Sequence, residues 1–240
     1  HAANIKEVVA SVMDIMINGI SAQSHQFEQT LLPKVSHKSV DSFDREAQKQ
    51  AKREAFYRVG SIHFNQKGYK GTSLDEIAGS LEVTKGAFYY HIKNKEELLY
   101  QCFERTLSIE QLLLEQANKS ADSGLAKVGC ALQYLVNMQL SDQGPLIRYR
   151  SLPSLDESHR KLVLKSSKRN SDNLGALIRQ GFDDGTLRDI DAEIAQHILS
   201  GAIEASPDLL EWVKSSSGKQ ISKDYLNIFI NGLTIKPNVN

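Results

Sequence analysis

Residues 68–99 read GYKGTSLDEIAGSLEVTKGAFYYHIKNKEELL. The stretch divides into two short helices around a tight turn, followed at once by the cap of a third. Thr72 or Ser73 can cap the first helix, with Asp75 or Glu76 three residues on completing a capping box. Leu74, Ile77, Ala78 and Leu81 then form one apolar stripe at i, i+3, i+4 and i+7. Val83 anchors the turn, and Thr84 can cap the second helix. Its inward face is expected to be Ala87, Phe88 and Ile92, leaving Lys85, Gly86, Tyr89, Tyr90 and His91 outward near its N-terminal end. This is the outline of a recognition helix, which offers its N-terminal residues to base edges in the major groove while the helix before it crosses the phosphate backbone. Gly86 suits close approach of backbone to DNA. Asn94 and Glu97 repeat the capping logic, and Lys95 stands where its ammonium and free helix N–H groups can share a phosphate.

Charge is concentrated on the same segment. Over 240 residues, 29 Lys and Arg balance 29 Asp and Glu. Between Arg45 and Lys95, however, ten basic residues face five acidic ones. A basic module on a compensating body is the layout expected of a DNA reader with a small footprint.

Phe64, Gly68-Tyr69, Thr72-Ser73, Ile77-Ala78, the run from Val83 to Ile92 and Lys95 resemble the DNA-binding domain of the tetracycline-repressor (TetR) family of bacterial transcriptional regulators. The likeness covers roughly residues 52–100. It implies that Lys85, Gly86, Tyr89, Tyr90 and His91 contact DNA, with Thr72, Thr84 and Lys95 at the phosphates and Ser73 and Ala87 among the DNA-binding positions. Two positions depart from the pattern. Gly60 stands where such proteins commonly carry Ala, and Glu82 where the turn usually has Gly, so Glu82 is expected to take a positive φ at some cost.

The chain is long enough for two domains with a sizeable core. After residue 95 it reads as helix after helix: one from Lys95 to about Asn118, one through Leu125 to Met138 after a break at 120–123, a short piece around 146–152, and a long one from Asp156 to about Phe182. Leu162, Leu164, Leu174, Leu177 and Ile178 are assigned to the inner side of that long helix. Asp191 can cap the next helix, Pro207 starts or kinks a segment holding Leu209, Leu210 and Trp212, and a last helix stops at Gly232. The expected fold is all-α, with a three-helix helix-turn-helix head at 45–99 and a six-helix-type body at 100–240. The resemblance implies that this body binds a small-molecule effector and pairs with a second subunit, giving a homodimer. Tyr134, Met138, Arg148, Tyr149 and Phe182 are candidates to line the effector site.

The N-terminal residues stand apart from that plan. Ile5, Val8, Val9, Val12, Met13, Met16, Ile17 and Ile20 recur at helical spacing, so residues 1–20 form an amphipathic helix that must lie on a protein surface. Its end, Asp14-Ile-Met-Ile-Asn-Gly-Ile20, matches Asn227-Ile-Phe-Ile-Asn-Gly-Leu233 at an offset of 213, with four of seven positions identical. Such spacing is close to the length of one regulator unit, which makes 1–20 a candidate last helix of an upstream unit of the same type. Chance likeness between two short amphipathic helices is the competing explanation. Residues 21–44 read as a linker.

Catalysis and metal binding find little support. The seven histidines show no i, i+4 pair with a nearby carboxylate, and neither a Cys-x-x-Cys nor a Gly-rich phosphate loop is present. Cys102 and Cys130 read as buried reduced thiols. No apolar run approaches the ~20 residues of a membrane span, and a cytoplasmic protein without cofactor or metal is expected. The reading is thus a repressor that binds a double-stranded DNA operator and is released by an effector. A helical adaptor that has kept the fold but lost DNA binding, or an all-α enzyme, is the alternative.

Overall fold

The computed structural model describes residues 5–23, 45–209 and 218–233. Among them the chain forms helices α1 (Ile5–Asn18), α2 (Arg45–Gly71), α3 (Leu74–Ser80), α4 (Lys85–His91), α5 (Lys95–Lys119), α6 (Gly124–Gln139), α7 (Glu157–Asp183), α8 (Ala192–Ala205) and α9 (Gly218–Asn231), with 3-10 turns at Tyr149–Ser154 and Ser206–Asp208. The described residues contain no strand, only an isolated bridge between Ser21 and Leu187. The class is all-α, as expected. Side chains adjacent in sequence cap several of the helices. Ser123 Oγ accepts the Ala126 N–H at the start of α6, and Asp191 accepts from Glu193 and Ile194 at the start of α8. Gly185 and Gly232 follow α7 and α9 with φ of 71° and 82°, the left-handed conformation that ends a helix. Of the predicted linker at 21–44, residues 24–44 lie outside the described residues, as do Leu210 and Trp212; its first residue, Ser21, is not linker but buried and bridged to Leu187.

The chain divides into two compact units. One comprises residues 34–110 and 142–168. Phe56, Phe64, Ile77, Phe88, Ile92, Leu98, Leu99 and Phe103 form its core, joined by Leu107, Ile147, Leu155 and Val163. The unit holding the head therefore takes in more than 45–99, because the first turns of α5 and a return segment close its core. Polar ties hold that segment: Asn65 donates to the Leu146 carbonyl at 2.8 Å and accepts the Arg148 N–H at 2.9 Å, while Thr106 accepts the Ile147 N–H. Glu54 pairs with the almost fully buried Arg105, which also donates to the Gln143 carbonyl at 2.6 Å.

The other unit comprises residues 1–33, 111–141 and 169–240. Its central element is α6, which is buried on nearly every side from Leu125 to Gln139, with α8 and α9 packed on it. The loop after α7 caps α6, since Asp184 accepts the Gly124 N–H and Thr186 the Leu125 N–H. Helix α1 lies against α8 and α9. Arg188 fastens it, donating to Asp14 at 2.7 Å and to the Gly19 carbonyl at 2.9 Å. That guanidinium holds the Asp14 carboxyl below its usual range, with Asn18 as a second donor.

Three expectations about apolar faces are corrected. In α7 Leu174, Leu177 and Ile178 are buried as expected, but nearer its start the buried side chain is Val163, and its neighbours Leu162 and Leu164 are about half exposed. In α1 the predicted stripe is split: Val8, Val12 and Met16 are half-buried, whereas Ile5, Val9, Met13 and Ile17 point outward, and the side chain the helix buries is Ile15, which the stripe left out; Ile20, just past the helix, is buried as well. Apolar residues occupy more than one face of this helix, so periodicity alone did not choose between them. Cys130 is only half-buried, unlike Cys102.

Candidate nucleic-acid interface

Both short helices of the head begin at capping side chains. Ser73 is the cap of α3: its Oγ accepts the Glu76 N–H at 3.1 Å, and the Glu76 carboxylate accepts the Ser73 N–H in return. Thr84 caps α4 by accepting the Ala87 N–H at 3.3 Å. Between them the turn is closed by N–H groups of Leu81 and Val83 donating to the Ala78 carbonyl and that of Glu82 donating to Gly79. Glu82 takes φ 55°, the positive value expected of a non-glycine at this turn, and no other non-glycine among the described residues does so.

Phe88 fixes the orientation of α4. It is fully buried, with its ring 5.1 Å from that of Phe56 on α2. A seven-residue helix held by one inward aromatic turns its other positions outward: Lys85, Gly86, Tyr89 and Tyr90 are exposed, Tyr90 by 79%. A Cβ on Gly86 would meet nothing within 4 Å, so this edge of the helix is open. Ala87, expected on the inner face, is exposed as well, because Phe88 and Ile92 alone fill the contact with the core. His91 is half-buried against the rings of Phe56 and Tyr90. Burial first, and then the charges of Arg53, Lys52 and Lys49, push its pKa down. Those same charges place a basic strip of α2 beside the end of α4.

Two cations expected at DNA are engaged within the head. The Lys85 ammonium lies 2.6 Å from Asp75 Oδ2, and the Tyr89 hydroxyl donates to the other oxygen at 3.4 Å. Lys85 thereby holds the Asp75 carboxyl low, and its own pKa is raised. Lys95 donates to the Thr72 carbonyl at 3.0 Å, with its ammonium 4.5 Å from the centre of the Tyr69 ring. Thr72 is itself turned inward: it is buried, and its hydroxyl donates to the carbonyls of Gly68 at 2.8 Å and His63 at 3.1 Å. Its place is inside the junction of α2 and α3, not on the outer surface where a phosphate contact was expected.

The candidate effector residues are not gathered in one unit. Tyr134 and Met138, both buried on α6, and the half-buried Phe182 belong to the unit built on α6. Arg148 and Tyr149 belong to the head's unit, where the Arg148 N–H is bonded to Asn65 and the Tyr149 hydroxyl donates to Ser167 at 2.9 Å.

One cluster was invisible in the sequence. Glu96 at the start of α5 meets His159 of α7 at 2.9 Å, with Asp156 at 3.2 Å and the Tyr100 ring stacked 4.0 Å from the imidazole. Some sixty residues separate Glu96 from the other two acid–base groups, so no spacing rule could have joined them.

Residues 62–102 match the family model described as "Bacterial regulatory proteins, tetR family". The chain is 26% identical over 153 residues to the transposon Tn10 TetC protein of Escherichia coli, covering 58% of this chain and 70% of TetC. It is 23% identical over 202 residues to the HTH-type transcriptional repressor KstR2 of Mycolicibacterium smegmatis, covering 80% of this chain and 95% of KstR2. In three dimensions it is similar to AibR, solved in complex with isovaleryl coenzyme A and operator DNA, with a TM-score of 0.60 at 21% identity, covering 75% of this chain and 97% of AibR.

Proposed function

We propose that this chain, which belongs to the TetR family of bacterial regulators through its DNA-binding head, is a sequence-specific transcriptional regulator, a repressor that leaves its operator when a small molecule binds. The observation that carries this reading is the tip of α4. Phe88 locks the helix to the core while Lys85, Gly86, Ala87, Tyr89 and Tyr90 stand outside it, beside the basic strip of Lys49, Lys52 and Arg53. A rigid, short helix end bearing a cation, two phenols and an open glycine edge fits the major groove, where hydrogen bonds and apolar contacts to base edges carry specificity. Ser73 and Thr84, at the helix starts, are proposed phosphate contacts with Lys95. Reading two half-sites takes two heads about 34–36 Å apart, or a multiple of that, and a second unit of the same kind supplies the other. Work on DNA places the regulator in the cytoplasm, and no enzymatic step is part of the reading.

Effector control is proposed to run through α5 and α7, each of which contributes residues to both units. Tyr134, Met138 and Phe182 are proposed to line part of the effector site. A ligand that binds one arrangement of these helices better than another shifts the population toward it by its differential affinity, and a few kcal/mol suffice. AibR, with both isovaleryl coenzyme A and operator DNA in one crystal, supplies a precedent in a similar fold.

The test is operator binding by Lys85→Ala and Tyr90→Ala. An operator selected from random duplexes should bind each variant more weakly by about 1–3 kcal/mol, with circular dichroism unchanged. Unaltered affinity in both variants overturns the assignment.

A further inference from the structure

The two matching seven-residue stretches do more than resemble one another: they meet. Ile20 N–H donates to the Phe229 carbonyl at 3.0 Å, and Leu233 N–H donates to the Met16 carbonyl at 3.0 Å. Adding the offset of 213 turns the first bond into the second, read from the other partner. The glycines obey the same exchange. Gly19 and Gly232 both take left-handed φ, 69° and 82°, and each closes its own helix through an N–H to the residue four before, Ile15 and Ile228. A methyl group on Gly19 would overlap the Ile230 carbonyl oxygen, and one on Gly232 would overlap that of Ile17, the position equivalent to Ile230. The ends of α1 and α9 are thus related by a local two-fold axis, the arrangement of an isologous pair in which residue i meets j and j meets i.

Burial shows what each half of this pair lacks. Under the offset Val9, Met13 and Ile17 correspond to Ser222, Leu226 and Ile230. In α9, which packs on α6, these are 2%, 0% and 0% exposed; in α1 they are 55%, 53% and 39% exposed. The reverse holds at the other end. Ile20 is buried, with its carbonyl accepting the Arg188 N–H and its neighbour Ser21 bridged to Leu187, whereas its counterpart Leu233 is 62% exposed. Helix α1 wants an equivalent of α6 behind it, and Leu233 wants an equivalent of the segment at 186–188. One body of the same fold, placed by the same two-fold axis, supplies both.

We propose that α1 is the closing helix of a second regulator unit that precedes this one in the same polypeptide, and that the two units pair through α1 and α9 as a pseudo-dimer within a single chain. A second copy of this chain does not satisfy the exposed stripe, because the α6 of each copy already holds its own α9. The occupant must be a body whose own last helix is α1. Pairing through α9 is then taken in cis, and a homodimer through this surface would require α1 to leave it. The inference goes beyond the DNA-binding reading and does not depend on it.

The test uses the polypeptide as the cell makes it. Light scattering should give the mass of one polypeptide, and a duplex with two half-sites should bind one polypeptide, not two. Met13→Asp should lower its melting midpoint by several degrees, since Met13 would be a core position there. In the 240-residue chain, where Met13 faces water, the same change should leave the midpoint unmoved. Two polypeptides per particle, a polypeptide carrying no second unit before Ile5, or Met13→Asp as harmless in the natural polypeptide as in the shorter chain would each overturn the proposal.

Discussion

The head and the unit built on α6 are both helical and both capped by side chains adjacent in sequence, yet they differ in where their proposed function lies. In the head, the proposed DNA contacts come from one contiguous run, and they stand on the outside of helices whose caps, Ser73 and Thr84, are within that run. In the other unit Ser123 and Asp191 start helices just as locally, but an effector cavity must be assembled from helices far apart in sequence. A recognition surface is therefore a property of a segment, and a cavity is a property of the tertiary fold. That contrast rests on how much of the head is local, which can be tested by removing its non-local support.

The largest expected effect is from Phe88→Ala. If α4 is placed by the core and not by its caps, deleting this fully buried ring beside Phe56 should cost about 3–5 kcal/mol and abolish operator binding with it. Denaturant titration followed by circular dichroism measures the loss. A cost below about 1 kcal/mol, the worth of a single cap, would mean that the local signals suffice to hold the helix, so that the head owes even less to distant partners.

A smaller effect of opposite sign is expected at the turn. Glu82 sits at φ 55°, where an L-residue pays about 1–2 kcal/mol. Glycine would remove that strain but adds about 0.4–1 kcal/mol of unfolded-state entropy. Glu82→Gly should thus stabilise the chain by up to about 1.5 kcal/mol, read as an upward shift of the denaturation midpoint. A destabilised variant would show that the Glu82 side chain makes a contribution larger than its backbone cost.

How far the sequence could be read follows the same division. Helix class, a capping box at Thr72 or Ser73, the Thr84 cap, the strained Glu82 and the helix-ending Gly185 and Gly232 were all legible, since each is decided within four residues of chain. What was not legible depends on distant partners. Thr72 could not be told from Ser73 as an outward hydroxyl until the carbonyls of His63 and Gly68 came to it. The pairing of Lys85 with Asp75, and of Lys95 with the Thr72 carbonyl, required the turn to close first. Ala87 was misplaced because small apolar residues fit either face of a helix. In α7 two leucines flank Val163, and hydrophobicity favours the wrong ones until the core selects the register. The split of Tyr134, Met138 and Phe182 from Arg148 and Tyr149 belongs to the same class, since spacing along the chain carries no information about which unit a residue joins.

The smallest expected effect concerns the cluster that no local pattern announces. The Glu96 carboxylate hydrogen-bonded to His159, with Asp156 and Glu97 nearby, raises the His159 pKa above its ordinary value of about 6.5. A folded-state pKa above the unfolded one means that the folded head binds the proton more tightly. The resulting stability is complete below the unfolded pKa and is lost as pH rises through the folded pKa. The imidazole is partly open to solvent, with a quarter of its side-chain surface exposed, so screening keeps the effect modest. Between about pH 6 and pH 8 the denaturation midpoint of the parent chain should fall more than that of His159→Gln, and the gap between the two should narrow as pH rises. If the gap were constant with pH, the stack on Tyr100 and not the charge would be what joins α5 to α7 within the head's unit.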